Sequence, residues 1–349
     1  MSKILTGLNP TEYEHDLDKA ALNTLERIPG LPKLTKKFYE LGFEKLIRIE
    51  YTGQYLAINN NNFPKVFDLY LQACKILDFK EIPELYIKFD YSVNAMASGV
   101  EKPMIMLHSG AIDLLDDDEL LFILGHELGH IKSGHVLYQM LGNMLVPLVS
   151  MGVQQFTLGL GGLVTEGISL PLYHWIRMAE FTCDRAGLLC CQKKEAALGV
   201  FMKWAGVPIK YQTKDFEKEF INQAIRFQEQ DYDSMDKFVK GISQTYSVEY
   251  LMQLGQLVPV SHPWTLFRTK KLLEWLDLGK YDEILNNAAS KISTTKRYEL
   301  YEEAEKILID ELPVIPLYTY TRTYLLSERV KNWQNNILDT NPYQFLSLE

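Results

Sequence analysis

The spacing of apolar residues predicts a mainly helical chain with a few short strands in its first third. Residues 12–43 show a helical period that is interrupted at 29–32 by two prolines and a glycine. A second helix is predicted from Pro64 to about residue 77, after a turn-forming Asn-Asn-Phe segment. Its predicted core-facing positions are Val66, Leu69, Tyr70, Ala73 and Leu77.

Short runs with strand-like alternation lie around these helices. Residues 45–49 and 54–58 are predicted to form a small hairpin that turns at Thr52-Gly53. Residues 84–89 and Met104–His108 are two further predicted strands, and a polar helical region is expected over 193–250. The pattern as a whole favours an α+β fold that is mainly helical.

One predicted helix carries the strongest candidate for chemistry. Asp116 is its predicted N-cap and Glu119 occupies the reciprocal capping position, so the helix starts there. His126, Glu127 and His130 follow two turns later in the pattern His-Glu-x-x-His. Histidines four residues apart lie on one side of a helix, so both imidazoles can reach one metal ion. Zinc bound there would lower the pKa of a water molecule, and the adjacent glutamate could accept its proton.

The surroundings of this pattern decide its interpretation, because five-residue matches also occur by chance on polar helix surfaces. Ile123 shares a face with the three motif residues, and the segment before them is apolar. Ionisable groups on so apolar a helix would be costly to bury without a metal or partners. The sequence therefore predicts a zinc hydrolase site.

The third metal ligand must come from elsewhere in the chain. His135 follows His130 by five residues and so points about 140° away from it. Ser133 and Val136 occupy the positions at which metzincins carry a glycine and a histidine, which excludes that class. We interpret His135 as a capping residue or a neighbour of a ligand.

A helical stripe further along the chain supplies a better candidate. Glu180 lies within this apolar stripe, and Asp184 follows it by one turn. We predict that Glu180 binds the metal and that Asp184 accepts a ring N–H from a ligand histidine. The alternatives are two solvated acids, or His174 as the ligand, although His174 falls off the stripe. The stripe consists of Leu172, Trp175, Ile176, Ala179, Glu180 and Cys183.

These residues resemble the HtpX-like and CAAX-prenyl-protease-like zinc peptidases, the family-48 metallopeptidases, which are gluzincins. The resemblance covers about residues 1–285 and implies a zincin-like domain with a small sheet beside the motif helix. It implies one zinc ion per chain, bound by His126, His130 and Glu180, with Glu127 as general base and then acid and Asp184 orienting a ligand. The matching segments are Asn94–Gly99, Gly125–Ile131, Arg177–Arg185, Ser261–Pro263 and Arg268.

Three further residues take roles from the resemblance. His262 and Arg268 are expected near the metal, where they would stabilise the oxyanion; equally, His262 and Pro263 could simply start a helix over 264–276. Asn94 is expected to begin an edge strand along which an extended peptide substrate pairs. It is equally plausible as a turn residue.

Composition narrows the possible partners and location. The 349 residues are 47% hydrophobic and 23% charged, as in globular proteins, and the net charge of −9 with no basic cluster argues against nucleic acid as a partner. The four cysteines show no spacing typical of a disulfide framework or a cysteine zinc site. The first residues lack an apolar segment of signal-peptide length, so a cytoplasmic location is expected.

The segment 133–165 contains no Asp, Glu, Lys or Arg. Membrane enzymes occur among the relatives implied above, so a membrane span was considered, but amide side chains, Pro147 and several glycines interrupt the run. Its uninterrupted pieces are far shorter than the roughly 20 residues that a span requires. We expect a buried helix that continues from the motif helix, then a glycine-rich connection, with peripheral membrane contact through 136–165 as an alternative.

Residues 286–349 have a different character. An amphipathic helix is predicted over 294–310, before Pro313-Val-Ile-Pro-Leu-Tyr318 and Arg329-Val-Lys-Asn-Trp333. These pieces resemble the C-terminal end of the oligopeptide-binding proteins of ABC importers, most of whose length is missing here. The segment is therefore interpreted as a fusion or a misassembled reading frame; the alternative is that it is the peptidase's own C-terminal region.

The predicted function is zinc-dependent endopeptidase activity on a peptide or protein substrate. A peptide-binding module, suggested by residues 286–349 alone, is the competing hypothesis, and a scaffold without activity is a third. The complete set of ligands and base favours the enzyme.

Overall fold

The structure, a computed structural model, describes residues 2–145, 168–227, 264–290, 330–331 and 347–348. The chain divides into two compact units, Met1–Ser293 and Thr294–Glu349. In the second unit, strands β5 (Val330–Lys331) and β6 (Ser347–Leu348) pair antiparallel. The amphipathic helix predicted over 294–310 lies outside the described residues.

The first unit is mainly helical, as the sequence predicts. Short 3₁₀ turns lie at Pro10–Glu12 and Ile209–Tyr211, and a π-helical turn at Leu141–Leu145. The α-helices are α1 (Asp16–Glu26), α2 (Leu31–Glu40), α3 (Phe43–Gln54), α4 (Pro64–Ile76), α5 (Ser109–Leu114), α6 (Asp117–Lys132), α7 (Val136–Met140), α8 (Ser169–Cys191), α9 (Lys194–Trp204), α10 (Lys214–Arg226), α11 (Thr265–Asp277) and α12 (Lys280–Ser290).

A four-stranded mixed sheet packs beside α6 in the order β1-β2-β4-β3. β4 is parallel to β2 and antiparallel to β3, and β1 is antiparallel to β2. β4 is buried on both faces, whereas β3 is an edge strand on which Met96 is 45% exposed. The strands are β1 (Leu56–Ala57), β2 (Glu84–Lys88), β3 (Ala95–Ser98) and β4 (Met104–His108). The predicted α+β class, with a small sheet beside the motif helix, is confirmed.

The hairpin predicted over 45–58 is wrong in its first arm. Residues 45–49 belong to helix α3, and β1 pairs with β2 instead. Phe43, Ile47 and Tyr51 are buried at a spacing of four residues, whereas Leu46 and Ile49 are exposed. The helical period buries one face against the core, which the short alternation of apolar residues did not reveal.

Helices α6 and α8 make the closest helix contact of the site. A Cβ atom added to Gly125 would lie 2.3 Å from Cβ of Cys190, and one added to Gly187 would lie 2.8 Å from the carbonyl oxygen of Phe122. Both positions therefore need glycine for the two backbones to approach this closely. This approach brings the acidic residues of α8 beside the histidines of α6.

The segment after the motif helix departs from the predicted continuous helix. α6 ends at Lys132, Ser133 is its C-cap, and Gly134 has a positive φ of 74° before α7 begins. Residues 146–167, including the predicted glycine-rich connection, lie outside the described residues. In the part of the chain that the structure describes, no helix is long and apolar enough to cross a membrane.

Candidate active site

Helix α6 begins as the sequence predicts. The Asp116 side chain accepts hydrogen bonds from the backbone N–H groups of Asp118 and Glu119, and Glu119 accepts one from Asp116 in return at 2.8 Å. This capping box fixes the start of the helix two turns before His126. Every residue from Glu119 to His130 is buried, so the motif lies within the core and not on a solvent-exposed helix face.

His126, His130 and Glu180 converge on one point, and we call these three residues the metal cluster. Nε2 of His126 lies 3.2 Å from Nε2 of His130 and 3.4 Å from Oε2 of Glu180, and Nε2 of His130 lies 3.3 Å from Oε1 of Glu180. A tetrahedral zinc ion with bonds of about 2.0–2.1 Å holds its ligand atoms about 3.3–3.4 Å apart. Two imidazoles and a carboxylate at these separations therefore fit zinc in both chemistry and spacing.

Asp184 and Arg268 surround the metal cluster from α8 and α11. Oδ1 of Asp184 lies 3.2 Å from Nδ1 of His126, on the opposite side of the ring from the metal cluster. Arg268 donates from Nε and Nη2 to the two Asp184 oxygens at 2.8 and 2.5 Å, and its Nη1 lies 3.2 Å from Oε2 of Glu180. Trp204 stacks beneath the guanidinium at 4.4 Å. One buried cation thus pairs with two buried carboxylates.

Glu127 lies beside the metal cluster and is buried. Burial raises the pKa of Glu127 to about 7; the positive charge of His126 opposes this and the negative charge of Glu180 adds to it. At His126, burial lowers the pKa, but Asp184 and Glu180 outweigh it and raise the pKa to about 9. A metal ion entering the cluster must displace that proton.

A cavity of about 370 Å³ opens onto the metal cluster and Glu127. Residues 94–98, which include β3, line one side, and Tyr51 from α3 lines another. The hydroxyls of Tyr51 and Ser98 lie 3.1 Å apart, which ties α3 to the edge strand. The cavity therefore places an exposed strand edge next to the candidate metal site.

The other residues singled out in the sequence are placed as follows. Asn94 immediately precedes β3; its side-chain oxygen accepts from the N–H of Ala95, and its carbonyl accepts from the N–H of His108. These contacts hold the start of the edge strand. His262 lies outside the described residues, and His174 on α8 is half-buried and is not part of the metal cluster. Trp264 is the N-cap of α11, which matches the helix predicted over 264–276.

A second polar cluster lies behind His130, and we call its residues Asp18, His135, Thr182 and Cys183 the support cluster. Nδ1 of His135 lies 3.3 Å from Nδ1 of His130 and 3.4 Å from Sγ of Cys183, and Nε2 of His135 lies 3.2 Å from Oδ2 of Asp18. His130, His135 and Cys183 could also hold a metal by proximity alone. Burial raises the pKa of Cys183 well above its usual value, which favours the neutral thiol over the thiolate that a metal needs.

Asp18 of this cluster was not among the residues predicted from the sequence. Asp18, Ala21 and Leu25 are all buried and follow one face of α1 at a spacing of three and four residues. An acidic residue on an apolar helix face is the same pattern that singled out Glu180. That rule, applied to α1, would have identified Asp18.

Comparison with known proteins identifies the family. The family model described as "Peptidase family M48" matches residues 64–276. The chain belongs to this family. The predicted resemblance is thereby confirmed, and with it a zincin-like metallopeptidase domain, a hydrolase whose family works by zinc-dependent proteolysis.

Individual relatives match this chain over different lengths, and they include two peptidases and a peptide-binding protein. The plastoglobule-localized metallopeptidase 48 of Arabidopsis thaliana is 28% identical over 295 residues, which are 84% of this chain and 80% of that protein. A protease HtpX homolog of Tropheryma whipplei is 32% identical over 78 residues, 22% of this chain and 26% of that protein. The oligopeptide-binding protein OppA of Bacillus subtilis is 42% identical over 93 residues, 26% of this chain but only 17% of its own length.

Proposed function

We propose that this M48 peptidase is an endopeptidase that binds one zinc ion through His126, His130 and Glu180 and uses Glu127 as its general base and then acid. The observation that carries the proposal is the metal cluster, whose 3.2–3.4 Å separations fit a tetrahedral ion and whose ligand atoms face the cavity. Catalytic zinc sites typically use three protein ligands and keep one position open.

Each residue has a distinct part in this mechanism. When bound, zinc supplies a Lewis acid that lowers the pKa of water and polarises a carbonyl. Glu127 follows His126 directly in α6, so its carboxylate lines the same cavity and can accept a proton from water. The same carboxylate then gives this proton to the leaving amine, so the mechanism needs no second acid.

Asp184 and Arg268 support the ligands in this proposal. Asp184 holds the Nδ1 side of His126, which leaves Nε2 to face the metal cluster. Arg268 contacts both Glu180 and Asp184, so its charge is used to hold these two carboxylates in place. Arg268 also lines a second cavity together with Glu127 and Asn94. Stabilisation of an oxyanion by Arg268 or by His262 stays a prediction.

The substrate is proposed to be a peptide or protein in extended form. The β3 edge beside Glu127 has main-chain groups free of a further strand among the described residues, and Asn94 holds the start of that edge. A peptide could add to it by main-chain hydrogen bonds. Nucleic acid is not proposed as a partner, and a cytoplasmic location and peripheral membrane contact through 136–165 both stay predictions.

The proposal is tested by zinc analysis and casein cleavage on three purified proteins: wild type, Glu180→Ala and Glu127→Gln. We expect about one zinc per chain in wild type and in Glu127→Gln, and loss of zinc in Glu180→Ala. Cleavage should fall by about 10²–10⁴-fold in Glu127→Gln, the usual contribution of a general acid–base group. Wild type that binds no zinc and cleaves nothing would contradict the proposal.

Residues 286–349 are proposed to be a C-terminal tail that resembles the end of a peptide-binding protein, as in a fusion. The match to OppA, which covers 93 residues and so more than this segment holds, supports a peptide-binding origin for part of the chain. The boundary between the two compact units, after Ser293, lies close to the predicted one. A fourth protein in the same assay, a chain ending at Ser293, should bind zinc and cleave casein as the full chain does. If cleavage instead required residues 294–349, the proposal of independent domains would fail, and a peptide-binding contribution to the activity would gain support.

A further inference from the structure

The support cluster forms a continuous polar chain that runs from His130 into α1. Nδ1 of His130 lies 3.3 Å from Nδ1 of His135, and Nε2 of His135 lies 3.2 Å from Oδ2 of Asp18. The Thr182 hydroxyl donates to the same Asp18 oxygen at 2.5 Å. All four side chains are at least 96% buried, so these groups interact with each other and not with bulk water.

We propose that His135 and Asp18 are positioning residues that orient the imidazole of His130 through its Nδ1 atom. The inference rests on the proposed function, in which Nε2 of His130 binds the metal. It extends the site to α1, which lies before the residues matched by the family model, 64–276. Neither residue contacts the metal cluster's centre, so both act through His130.

The tautomers of His130 and His135 determine which atom donates in each of these hydrogen bonds. An imidazole that offers the Nε2 lone pair to a metal carries its proton on Nδ1, and that N–H needs an acceptor. Neutral His135 accepts with Nδ1 only if its own proton is on Nε2. That proton then faces Asp18, an anionic acceptor. Each hydrogen bond thus requires the next, and the sequence of donors and acceptors is consistent from the metal side to Thr182.

Asp18 is suited to be the final acceptor in this series of hydrogen bonds. Burial alone raises its pKa, but hydrogen bonds with His135 and Thr182 outweigh burial and keep the pKa below its usual value. A carboxylate that stays ionised in the core can hold a neighbouring imidazole in one tautomer, as carboxylates do for metal-binding histidines elsewhere. Asp18 is therefore an acceptor at neutral pH.

Helix α1 is fixed to α8 by contacts that do not involve the metal cluster. The N–H of His15 donates to Thr182 Oγ1 at 3.0 Å, and Arg185 donates to the carbonyls of Tyr13 and Glu14 at 3.2 and 2.8 Å. These bonds place Asp18 at a defined height along α8. The N-terminal segment thus has the rigidity that a positioning role requires.

Gln139 is the competing partner of His130. Its Nε2 lies 3.0 Å from Nδ1 of His130. If His130 binds the metal through Nε2, its Nδ1 carries a proton, so this amide nitrogen and the ring nitrogen would both be donors. Only a rotation that exchanges the amide oxygen and nitrogen would make Gln139 the acceptor. His135 needs no such rearrangement, and the variants below separate the two residues.

The test compares two substitutions of one residue in the full chain, His135→Asn and His135→Gln. An asparagine amide can place an acceptor near the Nδ1 position, which faces His130, whereas a glutamine amide reaches the Nε2 position, which faces Asp18. Zinc affinity is measured by competition with a chelator. We expect His135→Gln to weaken zinc binding by about 10–100-fold and His135→Asn to weaken it less. If His135 were needed only to pair with Asp18 in the core, His135→Asn would weaken zinc binding more than His135→Gln.

Two outcomes would overturn the inference while the proposed function stands. In the first, His135→Gln binds zinc as tightly as wild type although His130→Ala loses its zinc. In the second, Gln139→Leu weakens zinc binding more than His135→Gln does. If His130→Ala kept its zinc, the proposed function itself would fail. Thermal unfolding in chelator shows whether each variant folds.

A spectroscopic readout remains informative even if the affinities are close. In zinc-loaded protein with ¹⁵N-labelled histidine, the Nδ1–H of His130 should give a downfield proton signal protected from exchange. That signal should shift or vanish in His135→Gln and shift in Asp18→Asn. Cys183→Ala, which removes the other neighbour of His135 Nδ1, should retain it. A signal unchanged in both His135→Gln and Asp18→Asn would overturn the inference.

Discussion

The metal cluster and the support cluster meet where His130 of the first contacts His135 of the second, and both are buried, yet they face different surroundings. His126, His130 and Glu180 line the 370 Å³ cavity, whereas no residue of the support cluster lines either described cavity. In the metal cluster three ligand atoms point at one centre. In the support cluster pairwise polar contacts lead from His130 through His135 to Asp18 and Thr182. Burial therefore does not separate reactive from structural polar groups; convergence and access to a cavity do.

The charges of the two regions differ as well. Near the metal cluster, Arg268 forms ion pairs with both Glu180 and Asp184. Near the support cluster, Arg185 donates to neutral carbonyls and stacks on Trp275 at 5.1 Å. A buried arginine that pairs with two carboxylates has a different energetic role from one that hydrogen-bonds backbone oxygens.

The largest expected effect tests this difference with matched substitutions of the two arginines. Arg268→Met removes the guanidinium that pairs with two buried carboxylates, so that His126 remains as a cationic partner of both in metal-free protein. This loss should cost about 3–5 kcal/mol of unfolding free energy. Arg185→Met removes hydrogen bonds to two carbonyls and an electrostatic attraction to Asp16 and Asp18, without breaking a direct ion pair, and should cost about 1–3 kcal/mol. Urea unfolding in the presence of chelator measures both. Equal costs would show that the carboxylates do not depend on Arg268.

The packing of α6 on α8, on which both clusters depend, gives the next effect. Gly125→Ala forces its Cβ against Cys190 and should cost about 1–3 kcal/mol of unfolding free energy, with a loss of zinc affinity as Glu180 shifts. Gly53→Ala in α3 is the control, since no atom lies within 4 Å of its added Cβ. The control should be neutral or stabilising by about 0.4–1 kcal/mol. Destabilisation of similar size at both positions would argue against the close helix contact.

The smallest expected effect is a change in zinc affinity when an aspartate is replaced by asparagine in each of the two regions. Asp184→Asn alters a residue that contacts His126 directly, whereas Asp18→Asn acts on His130 through His135. Both should lower zinc affinity, within the range of about 10–100-fold seen for residues behind metal ligands, with Asp184→Asn the stronger. Chelator competition at fixed pH measures the two constants. The reverse order would mean that α1 contributes more to the site than the neighbouring turn of α8.

Much of the site could be predicted because its signals are local. The capping box at Asp116 and the spacing of His126 and His130 are properties of one helix, and Glu180 stood out as an acid in an apolar stripe. The helix that replaced the predicted hairpin could not be recognised in the same way, since residues 45–49 fit both periods over so short a run. Only the burial of Phe43, Ile47 and Tyr51 against the core distinguishes them.

The sequence by itself determined the family, the residue types of the candidate site and the faces on which they lie, because hydrogen bonding within a helix fixes the direction of each side chain. Tertiary structure decided which of these faces meet. The approach of α6 and α8 at Gly125 brings Glu180 to the histidines, and the docking of α1 brings Asp18 to His135. Distances between helices result from many packing contacts across the core, and no local spacing along the chain encodes them.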